Sequence, residues 1–297
     1  MHQTIPGASP PRNILLATDL GSHSDRALDR AAQLAVQWQA TLHVVHAQRT
    51  DKTNIWWPVA DNDFIAGSDD TETVREQILR DLREPVEDLA VHVAEGAPDR
   101  IILDTAQREN CDLIVLGDQG PTFAGVVFTT TAIRVLQRAP CSVLIAKARP
   151  HGPYRQLLVG TDFTAESRHS LQTAATWFAD AELALLHALD IPYRSLLLEA
   201  GRGDEMARME REAMQTFIDE ADLPTAVKQR MDMHVEHGYP ETVLHKYAST
   251  HDNLLTVIGA LKRGPIFHVL IGGEATRIVQ KVPGDVLMVR AEQSDSG

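Results

Sequence analysis

The sequence predicts an α/β protein of two tandem domains, each a doubly wound parallel sheet of five strands with helices on both faces. Three observations predict this fold. The chain has 297 residues, which suits about two domains. It contains an internal repeat at an offset of about 142 residues. Within each copy, short runs rich in Val, Ile and Leu alternate with segments of helical periodicity, a pattern typical of parallel strands buried on both faces.

Five pairs of segments, in the same order in both copies, carry the repeat. The clearest pair is RVLQRAPCSVLIAK at 134–147 and RIVQKVPGDVLMVR at 277–290. A unit of this length indicates a duplicated domain rather than a solenoid, whose repeats run about 20–50 residues. We place the domains at residues 1–149 and 153–292, around the segment ARPHGPYR with its two prolines and one glycine. The other pairs are 13–19 with 156–162, 42–47 with 183–188, 91–102 with 233–244, and 112–117 with 254–259.

Each copy opens with a strand and a helix whose apolar residues fall on one side. Ser22 or Ser24 is a plausible N-cap of the first helix, and Thr164 has that place in the second copy. The strands of the first copy are ILLATD, TLHVVHA, AVHVAE, LIVLGD and CSVLIAK. The later helices are predicted at roughly 70–90, 98–109 and 129–138, with counterparts near 204–222, 240–250 and 272–281.

Composition excludes several classes of function. The chain carries 28 basic and 41 acidic side chains, a formal charge of −13. This acidity opposes binding to nucleic acid or to an anionic membrane, because a phosphate surface needs clustered cations. No apolar run approaches the ~18 residues of a membrane span, and the first residues lack the apolar core of a signal peptide. Two cysteines provide neither a disulfide framework nor zinc-ligand spacing. We therefore expect a cytoplasmic protein that binds neither nucleic acid nor membrane.

Two features of each copy stand where open parallel sheets bind ligands, beyond the carboxyl ends of the strands. The first strand ends in Asp19 or Asp162, and the fourth ends in Gly117 or Gly259. In the first copy, another glycine and three consecutive threonines follow before a helix. A glycine turn and a hydroxyl-bearing helix N-terminus together offer N–H donors and a favourable dipole to a phosphate. The same residues could instead only turn the chain and cap the helix.

The ending RVLQRAPCSVL, together with the strand-terminal aspartate and the glycine-rich loop, resembles the universal stress protein family in both halves. The resemblance implies two Rossmann-like domains of the HUP type. In the ATP-binding branch it implies that the aspartate contacts adenine, while glycines and a Ser or Thr hold the ribose and phosphates. It also implies that strands 141–147 and 285–291 meet in an intrachain pseudo-dimer, with a homodimer of the whole chain left open. The candidate binding residues are Ala17, Asp19, Gly117, Gly120, Thr129, Thr130 and Thr131 in the first copy, and Gly160, Asp162, Gly259, Lys262, Gly272 and Gly273 in the second.

Both copies depart from the ATP-binding pattern. The first loop is one residue short, and Thr129 replaces the third glycine. The second loop keeps the spacing between Gly259 and Gly272, but Lys262 replaces its second glycine and Gly273 stands where Ser or Thr is expected. Lys262 could hold a phosphate as a point charge or be a solvated loop residue. The pattern leaves ATP binding open at both sites, and the intact spacing slightly favours the second.

The histidines and tryptophans give weaker signals. His43 and His46 are three apart on a predicted strand, so they point to opposite faces. His92 and its repeat partner His234 are interpreted as structural, and we predict no metal site. The pair at 56–57, Trp-Trp, could pack against the domain or, if exposed, mark a surface for a ligand or partner.

The sequence contains no nucleophile elbow, zincin or Walker motif, so we predict no catalytic residue. The leading hypothesis is a stress-response regulatory or binding protein that binds an adenine nucleotide such as ATP, or an unknown small ligand, with a regulatory protein as a further partner. The alternative is a nucleotide-free interaction protein whose phosphate loops are degenerate. A slow ATPase ranks third, because the sequence offers no recognisable general base.

Overall fold

The computed structural model describes residues 9–21, 24–48, 71–118, 130–189, 203–260 and 273–290. The strands are β1 (Asn13–Thr18), β2 (Thr41–Gln48), β3 (Leu89–Glu95), β4 (Leu113–Gly117), β5 (Ser142–Ala146), β6 (Gln156–Thr161), β7 (Glu182–Leu189), β8 (Asp232–His237), β9 (Leu254–Gly259) and β10 (Asp285–Val289). The helices are α1 (Asp25–Trp38), α2 (Thr71–Asp81), α3 (Pro98–Arg108), α4 (Thr130–Arg138), α5 (Ala165–Trp177), α6 (Gly203–Glu220), α7 (Thr225–Arg230), α8 (Pro240–Ala248) and α9 (Gly273–Lys281).

All ten strands form one sheet in the order β3-β2-β1-β4-β5-β10-β9-β6-β7-β8. Within each half the five strands are parallel, and the strand order reverses direction beside β1 in the first half and beside β6 in the second. The two halves join where β5 pairs with β10 in antiparallel fashion, with Leu144 opposite Leu287. The predicted fold class, two tandem five-stranded α/β domains, is confirmed.

The helices follow the predicted pattern with two differences. The second helix ends at Asp81, whereas the periodicity extends it to about residue 90. Pro85 explains the earlier end, since proline lacks an N–H and also disfavours helical geometry at the residue before it. The short helix α7 was not predicted, and it begins directly after Pro224. Thr164 caps α5 as predicted, because its hydroxyl accepts a hydrogen bond from the Ser167 N–H.

The two faces of the sheet carry separate hydrophobic cores, and each core runs through both halves. One face packs against α1, α2, α5 and α6, and the other against α3, α4, α8 and α9. Across the first face, the indole N–H of Trp38 on α1 donates to the carbonyl oxygen of Trp177 on α5 at 3.1 Å. The two indole rings meet edge to face at 5.7 Å. None of the helices in the described ranges combines the length and apolar composition of a membrane-spanning helix.

A buried carboxylate at the start of β10 joins the halves. Asp285 Oδ2 accepts from Arg30 Nε on α1 at 3.1 Å and from the Tyr154 hydroxyl at 2.5 Å. Asp285 Oδ1 accepts from the backbone N–H groups of Lys147 and Ala148 at 2.7 and 2.9 Å. The side chains of Asp285 and Arg30 are 1% and 2% exposed. The carboxylate therefore connects the first helix of one half, the segment between the halves and the last strand of the other half.

Two cationic side chains, one from each half, donate hydrogen bonds to the other half at nearly symmetric positions. Lys147, just after β5, donates through Nζ to the carbonyl oxygens of Val279 and Val282 at 2.5 and 2.6 Å. Its repeat partner Arg290, just after β10, donates to the carbonyl oxygen of Leu136 at 2.7 Å. These carbonyl groups lie at the C-terminal ends of α9 and α4, where helices leave acceptors without intrahelical partners. Each half thus provides hydrogen-bond donors for the carbonyl oxygens at the C-terminal end of the other half's last helix.

The Arg30–Asp285 pair breaks this symmetry. Ser142 is the repeat partner of Asp285, and its hydroxyl accepts only from the Arg290 N–H at 3.1 Å among the contacts the structure gives it. Thr173 stands at the position that corresponds to Arg30. The charged pair occurs at one of two equivalent places, so it favours pairing of a first half with a second half. Two first halves, or two second halves, would each bury a charge without its counter-ion.

Replacing Asp285 by Ala is expected to lower the free energy of unfolding by about 3–5 kcal/mol, because Arg30 would remain buried without its counter-ion. The matched control is Ser142→Ala, which removes one neutral hydrogen bond and should cost about 0.5–1.5 kcal/mol. Urea denaturation followed by circular dichroism measures both values. Equal losses for the two variants would contradict the role assigned to the ion pair.

Lys147 is expected to make stability depend on alkaline pH. Burial lowers its pKa to about 8 from the usual 10.5, although the carboxylates of Asp118 and Asp285 act in the opposite direction. Between these two pKa values the unfolded chain binds more protons than the folded chain, so the contribution of Lys147 to stability rises with pH. This rise is at most about 3 kcal/mol, and it should disappear in Lys147→Met.

Denaturation of the parent and the variant at pH 7.5, 9 and 10 measures the rise as a difference between their curves. Lys281→Gln provides the control, because this lysine is half-exposed. A parent-minus-variant difference that stays constant over this range would show that Lys147 does not titrate as described.

Candidate functional site

A tight turn after β1 fixes the strand-terminal aspartate of the first half. The Leu20 N–H donates to Thr18 Oγ1 at 2.9 Å, and Leu20 adopts a left-handed φ of 59°. Asp19 Oδ1 accepts from the Gly21 N–H at 3.0 Å and from the Ser24 hydroxyl at 2.6 Å. Ser24 precedes α1, as predicted, but its hydroxyl orients Asp19 and makes no capping bond to the helix. Asp19 is therefore held at the carboxyl edge of the sheet.

The second half repeats this turn. Phe163 has a left-handed φ of 63°, and its N–H donates to Thr161 Oγ1 at 3.0 Å. Asp162 Oδ1 accepts from the N–H and the hydroxyl of Thr164 at 3.1 and 2.5 Å. A non-glycine residue in this conformation costs of order 1 kcal/mol or more and persists only where its surroundings enforce it. Leu20 and Phe163 adopt this unfavourable conformation at equivalent positions in the two halves.

Two histidines support these turns and were not recognised from the sequence. Nδ1 of His46 lies 3.1 Å from the carbonyl oxygen of Thr18, and Nδ1 of His187 lies 2.7 Å from that of Thr161. A carbonyl oxygen only accepts, so both rings carry their proton on Nδ1. The signal was the histidine shared by the repeated segments LHVVHA and LALLHA. Each ring fixes the peptide that precedes the strand-terminal aspartate.

The first half has a cavity of about 720 Å³ at the carboxyl ends of β1 and β4. Five predicted site residues line this cavity, namely Ala17, Asp19, Gly117, Thr130 and Thr131. Thr130 and Thr131 form the N-terminal turn of α4, where backbone N–H groups lack intrahelical partners. The other two residues predicted for this site, Gly120 and Thr129, lie outside the described residues.

The corresponding cavity of the second half has about 150 Å³. Gly160, Asp162 and Gly259 line it, as predicted residues, together with several apolar side chains. Of the remaining predicted residues, Lys262 and Gly272 lie outside the described residues, and Gly273 begins α9. The apolar side chains are Leu186, Leu244, Ile258 and Ile278. The two halves thus differ about fivefold in the space they offer at equivalent positions.

Helix α5 packs tightly against the strand-terminal glycine of the second half. A Cβ atom on Gly259 would lie 3.0 Å from Ser170 Oγ and 3.1 Å from the backbone of Glu166. No side chain larger than hydrogen fits there without displacing the helix. The close packing of the helix against the strand therefore explains why this position is a glycine.

The two halves also carry ion pairs at equivalent positions between their last two helices, which were not recognised from the sequence. In the first half Arg134 lies 3.5 Å from Asp99, and both residues line the large cavity. In the second half Arg277 and Lys281 lie 3.2 and 3.3 Å from Glu241. Burial acts to raise the pKa of Glu241, but hydrogen bonding and the two cations outweigh it and hold the pKa below its usual value. The available signal was the acidic residue that follows Pro98 and Pro240 in the two copies.

The two cysteines do not provide a reactive thiol. Burial raises the pKa of the Cys111 thiol to about 12 and raises that of Cys141 as well. Both thiols are therefore protonated near neutral pH, and a protonated thiol is a poor nucleophile. The tryptophans at 56–57 lie outside the described residues.

A duplicated, doubly wound α/β protein with cavities beyond the carboxyl ends of its central strands is the class that this fold and these sites define. The sequence model of the universal stress protein family matches residues 11–147 and 153–290. The chain belongs to this family, as the repeated motifs indicated.

Relatives match either one half or the whole chain. A universal stress protein of Thermus aquaticus is 31% identical over 137 residues, which cover 46% of this chain and 98% of the relative. A protein of unknown function from Pseudomonas aeruginosa, PA1789, has a crystal structure that covers 95% of this chain and 93% of its own, with 21% identity and a TM-score of 0.69. A universal stress protein structure from Archaeoglobus fulgidus covers 94% of this chain and 98% of its own, with 17% identity and a TM-score of 0.65. These two structures support the fold across both halves of the chain.

Gly259→Ala is expected to lower the free energy of unfolding by about 1–3 kcal/mol, because the added methyl group would overlap the backbone of α5. Gly160→Ala is the matched control in the same cavity. Its added Cβ would meet Ile258 Cγ2 at 3.6 Å, an ordinary contact, so stability should stay equal or rise by up to about 1 kcal/mol. Chemical denaturation of both variants measures the difference. Equal stability of the two variants would refute the packing role of Gly259.

Proposed function

We propose that this chain is a stress-response binding protein whose first half binds an adenine nucleotide at the carboxyl ends of β1 and β4. The observation that carries the proposal is the cavity of about 720 Å³ beside Asp19. Small-molecule and cofactor sites typically occupy about 300–1,000 Å³. The position also suits a ligand, since open α/β sheets bind ligands where the strand order reverses.

The lining of this cavity offers separate partners to the two ends of a nucleotide. Asp19 provides a carboxylate for the amino group of adenine, and the Asx turn with Gly21 and Ser24 holds it in place. The phosphates would face the N-terminal turn of α4, where the helix dipole and the hydroxyls of Thr130 and Thr131 favour an anion. In this proposal Gly117, Gly120 and Thr129 form the loop that approaches the phosphates.

Arg134 supplies the positive charge that phosphates need. Among the described residues that line the cavity, Arg134 is the cationic one. Its guanidinium is half-exposed and its contact with Asp99, at 3.5 Å, is at the long limit for a hydrogen bond. In this proposal the exposed guanidinium turns toward a bound phosphate while it stays beside Asp99, which is 8% exposed and would be costly to leave without a counter-ion. A carboxylate and a guanidinium that line one cavity suit a ligand with an amino-bearing ring and an anionic tail.

We propose that the second half does not bind nucleotide. Its cavity of about 150 Å³ is smaller than the usual range for ligand sites. Apolar side chains from β7, α8, β9 and α9 provide much of its lining. In this proposal Asp162 retains the turn inherited from the duplication, and Lys262, Gly272 and Gly273 belong to a loop that holds no phosphate. The nucleotide-free alternative drawn from the sequence then applies to this half alone.

Two further features support a cytoplasmic location and a pseudo-dimeric arrangement of the two halves. The two cysteines are free thiols, which fits a reducing compartment such as the cytoplasm. The antiparallel pairing of β5 with β10 supports an intrachain pseudo-dimer. In this proposal a single chain provides all the residues of the nucleotide site.

Isothermal titration calorimetry with ATP, ADP and AMP tests the proposal on the full chain. We expect one nucleotide per chain and at least about tenfold weaker binding by Asp19→Ala, since a hydrogen bond to a charged group is worth about 1.5–3 kcal/mol. Asp162→Ala is the matched control, because it removes the equivalent carboxylate in the second half and should leave the affinity unchanged. Thermal melts confirm that both variants fold. The absence of heat at millimolar nucleotide, or a loss of binding caused by Asp162→Ala, would overturn the proposal.

A further inference from the structure

A second cluster of ligand-type side chains lies at the opposite, amino-terminal edge of the sheet. His43 on β2 and His92 on β3 come from neighbouring parallel strands. His43 pairs with Ala90, so His92, two residues further along β3, lies on the same face of the sheet. Nδ1 of His43 and Nε2 of His92 are 3.2 Å apart. Glu109, directly after α3, completes a group whose ligand atoms all lie within 4.8 Å of one another.

The spacing of the two nitrogens fits a metal ion. Zinc binds histidine nitrogen at about 2.0–2.1 Å and carboxylate oxygen at about 2.0–2.2 Å, in tetrahedral geometry. Two histidine ligands at a tetrahedral angle then have nitrogens about 3.3–3.4 Å apart, close to the observed separation. The third ligand, Glu109, is expected to approach by a side-chain rotation, because it follows the end of its helix and its side chain is 27% exposed. The C-terminal end of α3 adds the negative end of a helix dipole, which favours a cation.

We propose that His43, His92 and Glu109 form a binding site for one divalent cation of borderline softness, of which Zn²⁺ is the type. Two imidazoles and a carboxylate are a ligand set that zinc sites use, with a fourth position left for water. The ion would tie β3, an edge strand of the sheet, to β2 and to the end of α3. It would therefore stabilise the outer part of the first half, away from the nucleotide cavity.

Arg108 competes with a cation for this site. Its Nε donates to Glu109 Oε1 at 2.8 Å, and one of its terminal nitrogens lies 3.5 Å from Nδ1 of His92. The side chain of Arg108 is 58% exposed, so it can move into solvent when a metal ion arrives. Exposed ion pairs of this kind contribute little stability. Removing Arg108 should consequently strengthen metal binding, because the carboxylate of Glu109 would be released from its present partner.

The second half provides an internal comparison. His234 is the repeat partner of His92, but Ala184 stands where the first half has His43. The His234 ring instead meets the Tyr247 ring edge to face at 5.1 Å. Among the residues that the structure describes, the group in the first half is the one cluster of three with metal-ligand spacing. A single His-to-Gln change in each half can therefore separate this site from general binding of metal by surface histidines.

Titration of the full-length chain, free of any histidine tag, with Zn²⁺ in competition with a chromophoric chelator tests the proposal. We expect one tight equivalent per chain. His92→Gln and Glu109→Gln should each weaken it by at least about tenfold, since even residues that only support metal ligands contribute about 10–100-fold. His234→Gln should leave the affinity unchanged, and Arg108→Gln should increase it. These substitutions fall on partly exposed side chains, so the buried His43 does not need to be altered.

A second measurement distinguishes a loss of metal binding from misfolding of the variants. Zn²⁺ should raise the thermal midpoint of the parent and of His234→Gln, and it should leave that of His92→Gln unchanged. Circular dichroism without metal verifies that every variant keeps the parent's secondary structure. Equal affinities of parent and His92→Gln, equal weakening by His234→Gln and His92→Gln, or the absence of a tight equivalent would each overturn the proposal.

Discussion

The buried carboxylate of Asp285 is the constraint on which the arrangement of the two halves depends. An ionised group that is 1% exposed is strongly unfavourable unless hydrogen bonds and a counter-ion surround it. Its donors come from α1, from the segment after β5 and from Tyr154. The docking that brings these groups together places β5 beside β10 and joins ten strands in a single sheet.

Around this constraint the two halves share a common framework and differ in the sites that they present. The turns after β1 and β6, the histidines that support them, and the cations that hold the partner's last helix all occur twice. The Asp285 ion pair, the large cavity and the paired histidines near the amino-terminal edge occur once in the described residues. The duplicated elements stabilise the fold, whereas the single ones distinguish the halves.

The sequence predicted what depends on local pattern and repetition. Apolar runs, helical periodicity and the five repeated segments were sufficient for the fold class and for the positions of Asp19 and Asp162 at strand ends, and motif resemblance identified the family. The pattern did not reveal contacts between distant positions, such as Arg30 with Asp285 or His43 with His92, because no periodicity relates those residues. Cavity size was also inaccessible, since it depends on how side chains from separate strands and helices pack together. Loop spacing favoured the second half as a nucleotide site, whereas the cavity volumes favour the first.

The central claim is that one of two equivalent sheet edges has remained a ligand site. Backbone amide NMR of the full chain, recorded with and without ATP, tests this most directly because both edges are observed in one experiment. The account predicts chemical-shift changes at residues 17–21, 117–118 and 130–134, with the amides of residues 160–164 and 259–260 unmoved. Changes concentrated at the second edge, or no changes at millimolar ATP, would contradict it.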